Sequence, residues 1–475
     1  MNRKQILEAL DEISDNHIRN AANPPKKKVG RVYWYSGIAA VLAIAVLLGV
    51  FLSPRTASPG QMLNPTVPTY PQVPTFIPSG PKLVSLSGKS IADAVYPASS
   101  IYDEITVNLA GWDSYFTRTT AQFLQGDENT VFSPFNLYLA LSMLAECTGG
   151  ETRAEILSLL GAENMDLLRW QANTLWLSSY RTGKYPCTMA NSVWLQEGVI
   201  YNEDTMDLLA EKYYASVFGH DFTAPNGAEP IAKWLNQETG GLLKEQTGEL
   251  KFNPDTIFAL LSTANLQSEW YEVFDKEKNT TGVFNGTNGQ TTCTFMNNRP
   301  RLVGGRKAYY WGEDYSAVPV ALCGGYIMWL VLPNEGKTTN DLLKSGAYTE
   351  LFFDGEKTGA DPKVNLSLPK FDISCKQDMI GGLKELGIGK VFEKGQAEFD
   401  PAFPGYEVYV DQVEQATRIA VDENGVTAAA YAHISGPTMG MAPLDEVDFI
   451  LDRPFLFVLA TTDNMPLFAG CVNNL

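Results

Sequence analysis

Histidine is scarce: the 475 residues hold three, His17, His220 and His433. A histidine-dependent hydrolase or a multi-histidine zinc site has very little material to work with. No GxSxG, HExxH, phosphate-binding loop or credible triad occurs either, so an enzyme such as a surface hydrolase finds no support. Cysteine is thinly scattered. Cys147, Cys187, Cys293, Cys323, Cys375 and Cys471 form no CxxC pair and no metal-finger pattern; they read as mostly buried thiols, with disulfides outside the cell left open. No metal or cofactor is expected. Positive charge is in deficit, 36 Lys and Arg against 54 Asp and Glu for a formal net charge of −18, which argues against a nucleic-acid binder.

What the chain does have begins with one long apolar run. Residues 1–31 are polar, with an amphipathic opening and a basic cluster at Lys26, Lys27, Lys28 and Arg31. Residues 32–52 are almost entirely apolar and uncharged, a length that spans a bilayer as a helix. Tyr33, Trp34 and Tyr35 stand where interfacial aromatics belong, and the basic flank places residues 1–31 in the cytoplasm and the remainder outside. The alternative is a cleaved signal peptide, against which stand the long pre-region and the weak small-residue site around Thr56-Ala57-Ser58. Residues 53–82 are dense in proline and read as an extended tether rising ~3.1 Å per residue, with peptide docking as a second use. From residue 83 to 475 the composition is globular.

Near the C-terminus, Asp422-Glu423-Asn424-Gly425 forms an acidic turn, followed by a run of small residues and a Gly/Pro-broken segment. With period two, Val426, Ala428, Ala430 and Ala432 share one face, and Thr427, Ala429, Tyr431 and His433 the other. The first face is small and apolar, as a segment waiting to enter a sheet requires. An Ala-rich connector without such a role is the plainer reading. Farther back, Ser133 and Pro134 read as the N-cap and first residue of a helix carrying Leu137, Leu141 and Leu144.

Several pieces of the chain together resemble the serpins. They include Phe132-Ser133-Pro134, Ala140-Leu141-Ser142-Met143-Leu144, residues 149–156 (GGETRAEI), Ala190-Asn191-Ser192-Val193-Trp194, residues 231–235 (IAKWL) with Thr239-Gly240-Gly241, and Trp270 with Phe274. Then come Phe284, Met296, residues 330–336 (LVLPNEG), residues 364–371 (VNLSLPKF), residues 383–392 (LKELGIGKVF), Glu423-Asn424-Gly425, Asp452-Arg453-Pro454-Phe455 and Leu467-Phe468-Ala469-Gly470. The pieces are collinear over residues 108–475. Each alone is ordinary core punctuation; their order carries the resemblance.

The resemblance implies an α+β fold with three β-sheets, eight or nine helices and a large central sheet, and a monomer. Its implied function is an irreversible, suicide-substrate inhibitor of extracellular serine proteases, here on a bacterial-type, membrane-anchored chain. The bait would be a reactive-centre loop at about residues 425–447, cleaved between Met439 and Gly440. The segment between that bond and Val447 is about one residue longer than is usual in the family, which leaves Met441 and Ala442 as the alternative. The hinge would be Glu423, Gly425, Val426, Thr427, Ala428, Ala429 and Ala430, with Val426 and Thr427 replacing the usual Thr or Ser and the usual Glu. The sheet would open near Ser133, Asn136, Gln415 and Trp270. Asn136 and Gln415 stand where the family usually has Ser and His, and their amides are expected to bond each other; Ser262-Thr263 replaces a usual Asn-Ala. Methionine before the cleaved bond suits elastase-like, chymotrypsin-like or subtilisin-like proteases. The competing reading is a non-inhibitory serpin-like binding protein.

Overall fold

The computed structural model describes residues 42–53, 110–181, 184–241, 243–248, 250–253, 255–300, 305–353, 357–426 and 445–475. The intended cytoplasmic segment, nearly all of the proline-rich tether and the loop over residues 427–444 lie outside the described residues. So do hinge residues Thr427, Ala428, Ala429 and Ala430 and the candidate cleavage residues Met439, Gly440, Met441 and Ala442.

Among the described residues three sheets account for the strands, as expected. In the largest, β4 (Ala215–His220), β3 (Cys187–Gln196), β5 (Thr256–Leu266), β1 (Leu42–Ser53), β15 (Glu407–Val421), β16 (Gly425–Val426) and β6 (Ser268–Glu269) follow in that order, and β14 (Phe371–Asp378) also pairs with β15. The second sheet runs β12 (Gly359–Ala360), β9 (Tyr309–Trp311), β10 (Tyr315–Leu322), β11 (Tyr326–Pro333), β18 (Phe455–Thr461), β19 (Pro466–Val472) and β2 (Thr130–Phe132). The third runs β17 (Glu446–Ile450), β13 (Lys363–Pro369), β8 (Gly289–Asn298) and β7 (Thr280–Gly286). Helices fill the remainder, eight of them six residues or longer among the described residues.

Burial explains the sequences of the innermost elements. Every residue of β5, β11, β18 and β19 is buried, so β11, β18 and β19 read as nearly continuous apolar runs and not as alternations, while β5 is apolar in its first half and buries Ser262, Thr263 and Asn265 in its second. Two helices frame the site. Helix α1 (Ala110–Phe123) precedes β2, and α2 (Pro134–Cys147) is buried on all sides, which is why it is mostly apolar, with its polar side chains Asn136, Ser142 and Glu146 hydrogen-bonded. Ser133 caps α2 by accepting from the Asn136 N–H, and Pro134 occupies the first turn, where its missing N–H costs nothing.

The segment expected to cross a membrane as a helix is, over Leu42–Ser53, a strand of the central sheet. It runs antiparallel to β5 on one side and β15 on the other, with Val46 opposite both Ser262 and Gln415. No helix among the described residues is long and apolar enough to cross a membrane. The physical reason for the difference is that an unbroken aliphatic run suits either a helix in lipid or a strand covered on both faces, and periodicity does not arbitrate. The globular unit expected to begin at residue 83 therefore also includes 42–53, joined to α1 through residues 54–109.

All six cysteines are free; Cys147, Cys187 and Cys471 are buried and the other three partly so. His220 is buried with its ring nitrogen 2.6 Å from the Gly227 carbonyl, and burial lowers its pKa.

One charged group is set inside the helical layer. Glu146, on α2, receives two bonds from the Arg169 guanidinium at 2.7 and 2.9 Å and one from the Tyr213 hydroxyl at 2.9 Å, and it is 4% exposed. Removing one partner of such a pair strands the other in a poor solvent. Arg169→Met is expected to lower stability by about 3 kcal/mol in urea denaturation, and Glu146→Gln/Arg169→Met by clearly less.

Candidate functional site

β5 and β15 run the same way with β1 between them, and β16 sits at one end of that same gap. Val426 pairs with Val421 on β15 and with Ser268 on β6, so the chain leaving β15 turns back at Asp422 and starts into the sheet. The turn is shaped locally: the Asp422 carboxylate accepts from the Asn424 N–H at 2.8 Å and from the Gly425 N–H at 3.3 Å. Gly425 is required by proximity, because a Cβ there would meet the Ser268 carbonyl oxygen at 2.2 Å.

Trp270 holds this turn. Its indole N–H donates to the Asp422 carbonyl at 2.7 Å, its backbone N–H to the Asn424 carbonyl at 2.9 Å, and its ring meets Phe274 edge-on at 5.5 Å. Phe274 donates its own N–H to the Glu423 carbonyl at 2.9 Å. The predicted hinge residues Glu423, Gly425 and Val426 and the predicted sheet-opening residue Trp270 are thus one assembly.

Glu423 is buried, paired with the Lys370 ammonium, and accepts from the Asn279 amide at 2.6 Å. Burial pushes its carboxyl up, but the bonds from Lys370, Asn279 and its own backbone outweigh that and hold its pKa below the ordinary 4.5. Beside it, Glu269 opposes Gly425 in the ladder and accepts from the Tyr185 hydroxyl at 2.7 Å and from Lys184 at 3.2 Å. Burial, offset in part by Lys184 and reinforced by Glu269, pushes the Tyr185 phenol up to about 12. Sequence reasoning missed Tyr185, Glu269, Lys370 and Asn279; they come from separate elements, and no spacing links them to the turn.

The other predicted sheet-opening residues lie deeper, at the level of Val46. The Gln415 amide bonds the backbone of Ser133 twice, accepting its N–H at 2.8 Å and donating to its carbonyl at 3.1 Å. The Ser133 hydroxyl donates to the Leu467 carbonyl at 2.7 Å and accepts from the Asn136 N–H at 3.0 Å. Asn136 donates to the Ser262 carbonyl at 2.8 Å and accepts from its hydroxyl at 2.5 Å. Instead of an amide-to-amide bond, the described contacts of Gln415 and Asn136 converge on Ser133 and Ser262, all four residues being buried. Ser262, noted in the sequence only as a departure, is therefore a working member. The cluster connects both strands that flank Val46 to the N-terminus of α2. Its groups are neutral donors and acceptors, suited to holding strands and not to chemistry on a substrate.

A family profile described as Serpin (serine protease inhibitor) matches residues 115–475. Serpin-ZX of Arabidopsis thaliana is 27% identical over 395 residues, covering 78% of this chain and 97% of that protein. Among solved structures, the thermophilic serpin tengpin in its native state matches with a TM-score of 0.68 at 23% identity, over 80% of this chain and 96% of its own. Thyroxine-binding globulin, in complex with thyroxine, matches at 0.62 and 19% identity, over 78% and 98%. At these identities the two structures show the fold alone.

Two outcomes are expected of this site. Gln415→Leu leaves the Ser133 N–H buried without its partner, at about 1–3 kcal/mol, while the Ser133 carbonyl keeps the Leu137 N–H at 3.2 Å; the loss is read as a lower urea midpoint, and Gln415→His, which keeps a donor and an acceptor, should lose less. For Glu423 the folded-state pKa is depressed, so its stabilisation is complete above pH 4.5 and is lost as pH falls through the lower folded value. The difference in Tm between the unaltered chain and Glu423→Gln should accordingly be full near neutrality and vanish on acidification.

Proposed function

The chain belongs to the serpin family, and from that premise we propose that it is a suicide-substrate inhibitor of extracellular serine proteases of the elastase, chymotrypsin or subtilisin type. Members of the family are in general protease inhibitors and not enzymes. The observation that supports the reading most is the hinge. Val426 is buried and paired on both sides at the mouth of the gap between β5 and β15, and the residues that follow it through Ala432 carry no charge. Burying a charge there would cost several kcal/mol and stall insertion.

The protease's serine attacks the carbonyl carbon of Met439, or of Met441 in the alternative register. The peptide bond to the next residue breaks, the new amine leaves, and an ester joins the protease to the inhibitor. The freed loop then enters the gap as a strand and carries the protease with it, and distortion of the protease's catalytic site leaves the ester unhydrolysed. The chain contributes no acid or base. A new ladder on both flanks at ~0.5–1.5 kcal/mol per hydrogen bond is comparable to a whole domain's ~5–15 kcal/mol, a sufficient drive where the gap is open to the loop.

The location belongs to the same proposal. The basic flank and the apolar run support an anchor in a membrane over residues 32–52, with residues 1–31 in the cytoplasm, residues 53–82 as a tether and a monomeric inhibitory domain outside on a bacterial-type surface. One observation favours the second reading, a non-inhibitory binding protein: the gap the loop would enter already holds β1.

The test is to mix residues 83–475 with elastase, chymotrypsin and subtilisin. The expected outcome is a complex that survives denaturing gels, with a released peptide beginning at Gly440 or Ala442 by mass spectrometry. Clean loop cleavage with no complex would transfer the weight to the binding-protein reading.

A further inference from the structure

β1 lies outside the span that matches the family, residues 115–475, yet its backbone completes the middle of the central sheet. Its register repeats that of the hinge. Val426 stands opposite Val421 and Ser268, and running that pairing onward three residues brings position 429 opposite Arg418 and Asn265. Both of those places are held by Ala43. The coincidence persists down the strand: Val46 opposes Gln415 and Ser262, and Gly49 opposes Gln412 and Ala259, the places that positions 432 and 435 would take. Both flanking strands give the same correspondence independently. β1 also runs antiparallel to both neighbours, as Gly425 and Val426 do to β6 and β15.

We propose that residues 42–53 are a built-in competitor strand that occupies the loop's acceptor gap and keeps the inhibitor disarmed until the segment is withdrawn. While they are in place, the backbone donors and acceptors of β5 and β15 that face the gap are already used, and a cleaved loop has no ladder to join. The acyl-enzyme then has time to hydrolyse, and the chain behaves as a substrate. Withdrawal needs another solvent for an uncharged run of aliphatic residues. Water is a poor one. A bilayer is a good one: residues 32–52 are long enough to span it, and a helix there satisfies the backbone groups that the sheet satisfied before. Sheet and lipid thus compete for one segment, and the competition arms the inhibitor where lipid holds the segment. The inference rests on the inhibitory reading of the loop.

The experiment uses the full chain in three forms: as a monomer from gel filtration in lipid-free buffer, in phosphatidylcholine vesicles, and as Val46→Asp/Leu48→Asp in lipid-free buffer. Hydrogen exchange over residues 42–53 and the yield of gel-stable complex with subtilisin are read on each. The unaltered chain in buffer is expected to exchange slowly over 42–53 and to be cleaved with little complex. The vesicle form and the double variant are expected to convert most of the protease to complex, the variant with rapid exchange over 42–53. Rapid exchange in the unaltered chain, or the same substantial complex yield in buffer and in vesicles, would overturn the competitor strand. Should the variant fail to fold, the comparison between buffer and vesicles decides alone. Slow exchange over 42–53 with no complex from any form would uphold the strand and sink the inhibitory reading.

Discussion

Everything in this molecule turns on two strands that run in the same direction with a gap one strand wide between them. Thr256–Leu266 and Glu407–Val421 each present a row of backbone donors and acceptors inward, and a central position in a sheet offers no water to satisfy them. Something must fill the gap or the strands must close on each other. The hinge at Gly425 and Val426 meets this requirement at one end, Leu42–Ser53 meets it along the middle, and the cluster around Ser133 fastens the two flanks to α2. The core is organised accordingly, with the fully buried β5 on one side of the gap and the all-buried helix beneath it.

Much of this was legible in the sequence, and for physical reasons. Ser133 before Pro134 announces a helix start because only certain side chains satisfy the first N–H groups. The collinear pieces from Phe132 to Gly470 mark strand and helix ends that the fold reproduces, and the acidic turn at Asp422 is the sharp reversal its composition suggests. Illegible was anything that needs two distant residues at once. Gln415 looked like a partner for Asn136 because both carry amides, yet the Ser133 backbone offers Gln415 a matched donor and acceptor that no sequence pattern displays. Lys370, Asn279 and Glu269 gather at the hinge from three separate elements, each with an unremarkable local sequence.

The apolar run at residues 42–53 was ambiguous for a different reason. Its chemistry states only that it avoids water, and two environments offer that. A helix in lipid and a strand between two strands both satisfy every backbone group, and a run without polar residues has no periodicity by which to choose. The surroundings decide, and here the sheet supplies them.

The connector of residues 54–109 gives this arrangement an adjustable setting. The chain after Val426 is attached directly to the mouth of the gap, whereas Leu42–Ser53 is tied to α1 through a long, proline-rich stretch. Both contenders are intramolecular, so their contest is independent of how dilute the protein is, and its balance is set by effective concentration. Each doubling of connector length changes the entropy of closure by only ~0.6 kcal/mol, so insertions and deletions between Ser53 and α1 would move the balance between the two strands in fine steps.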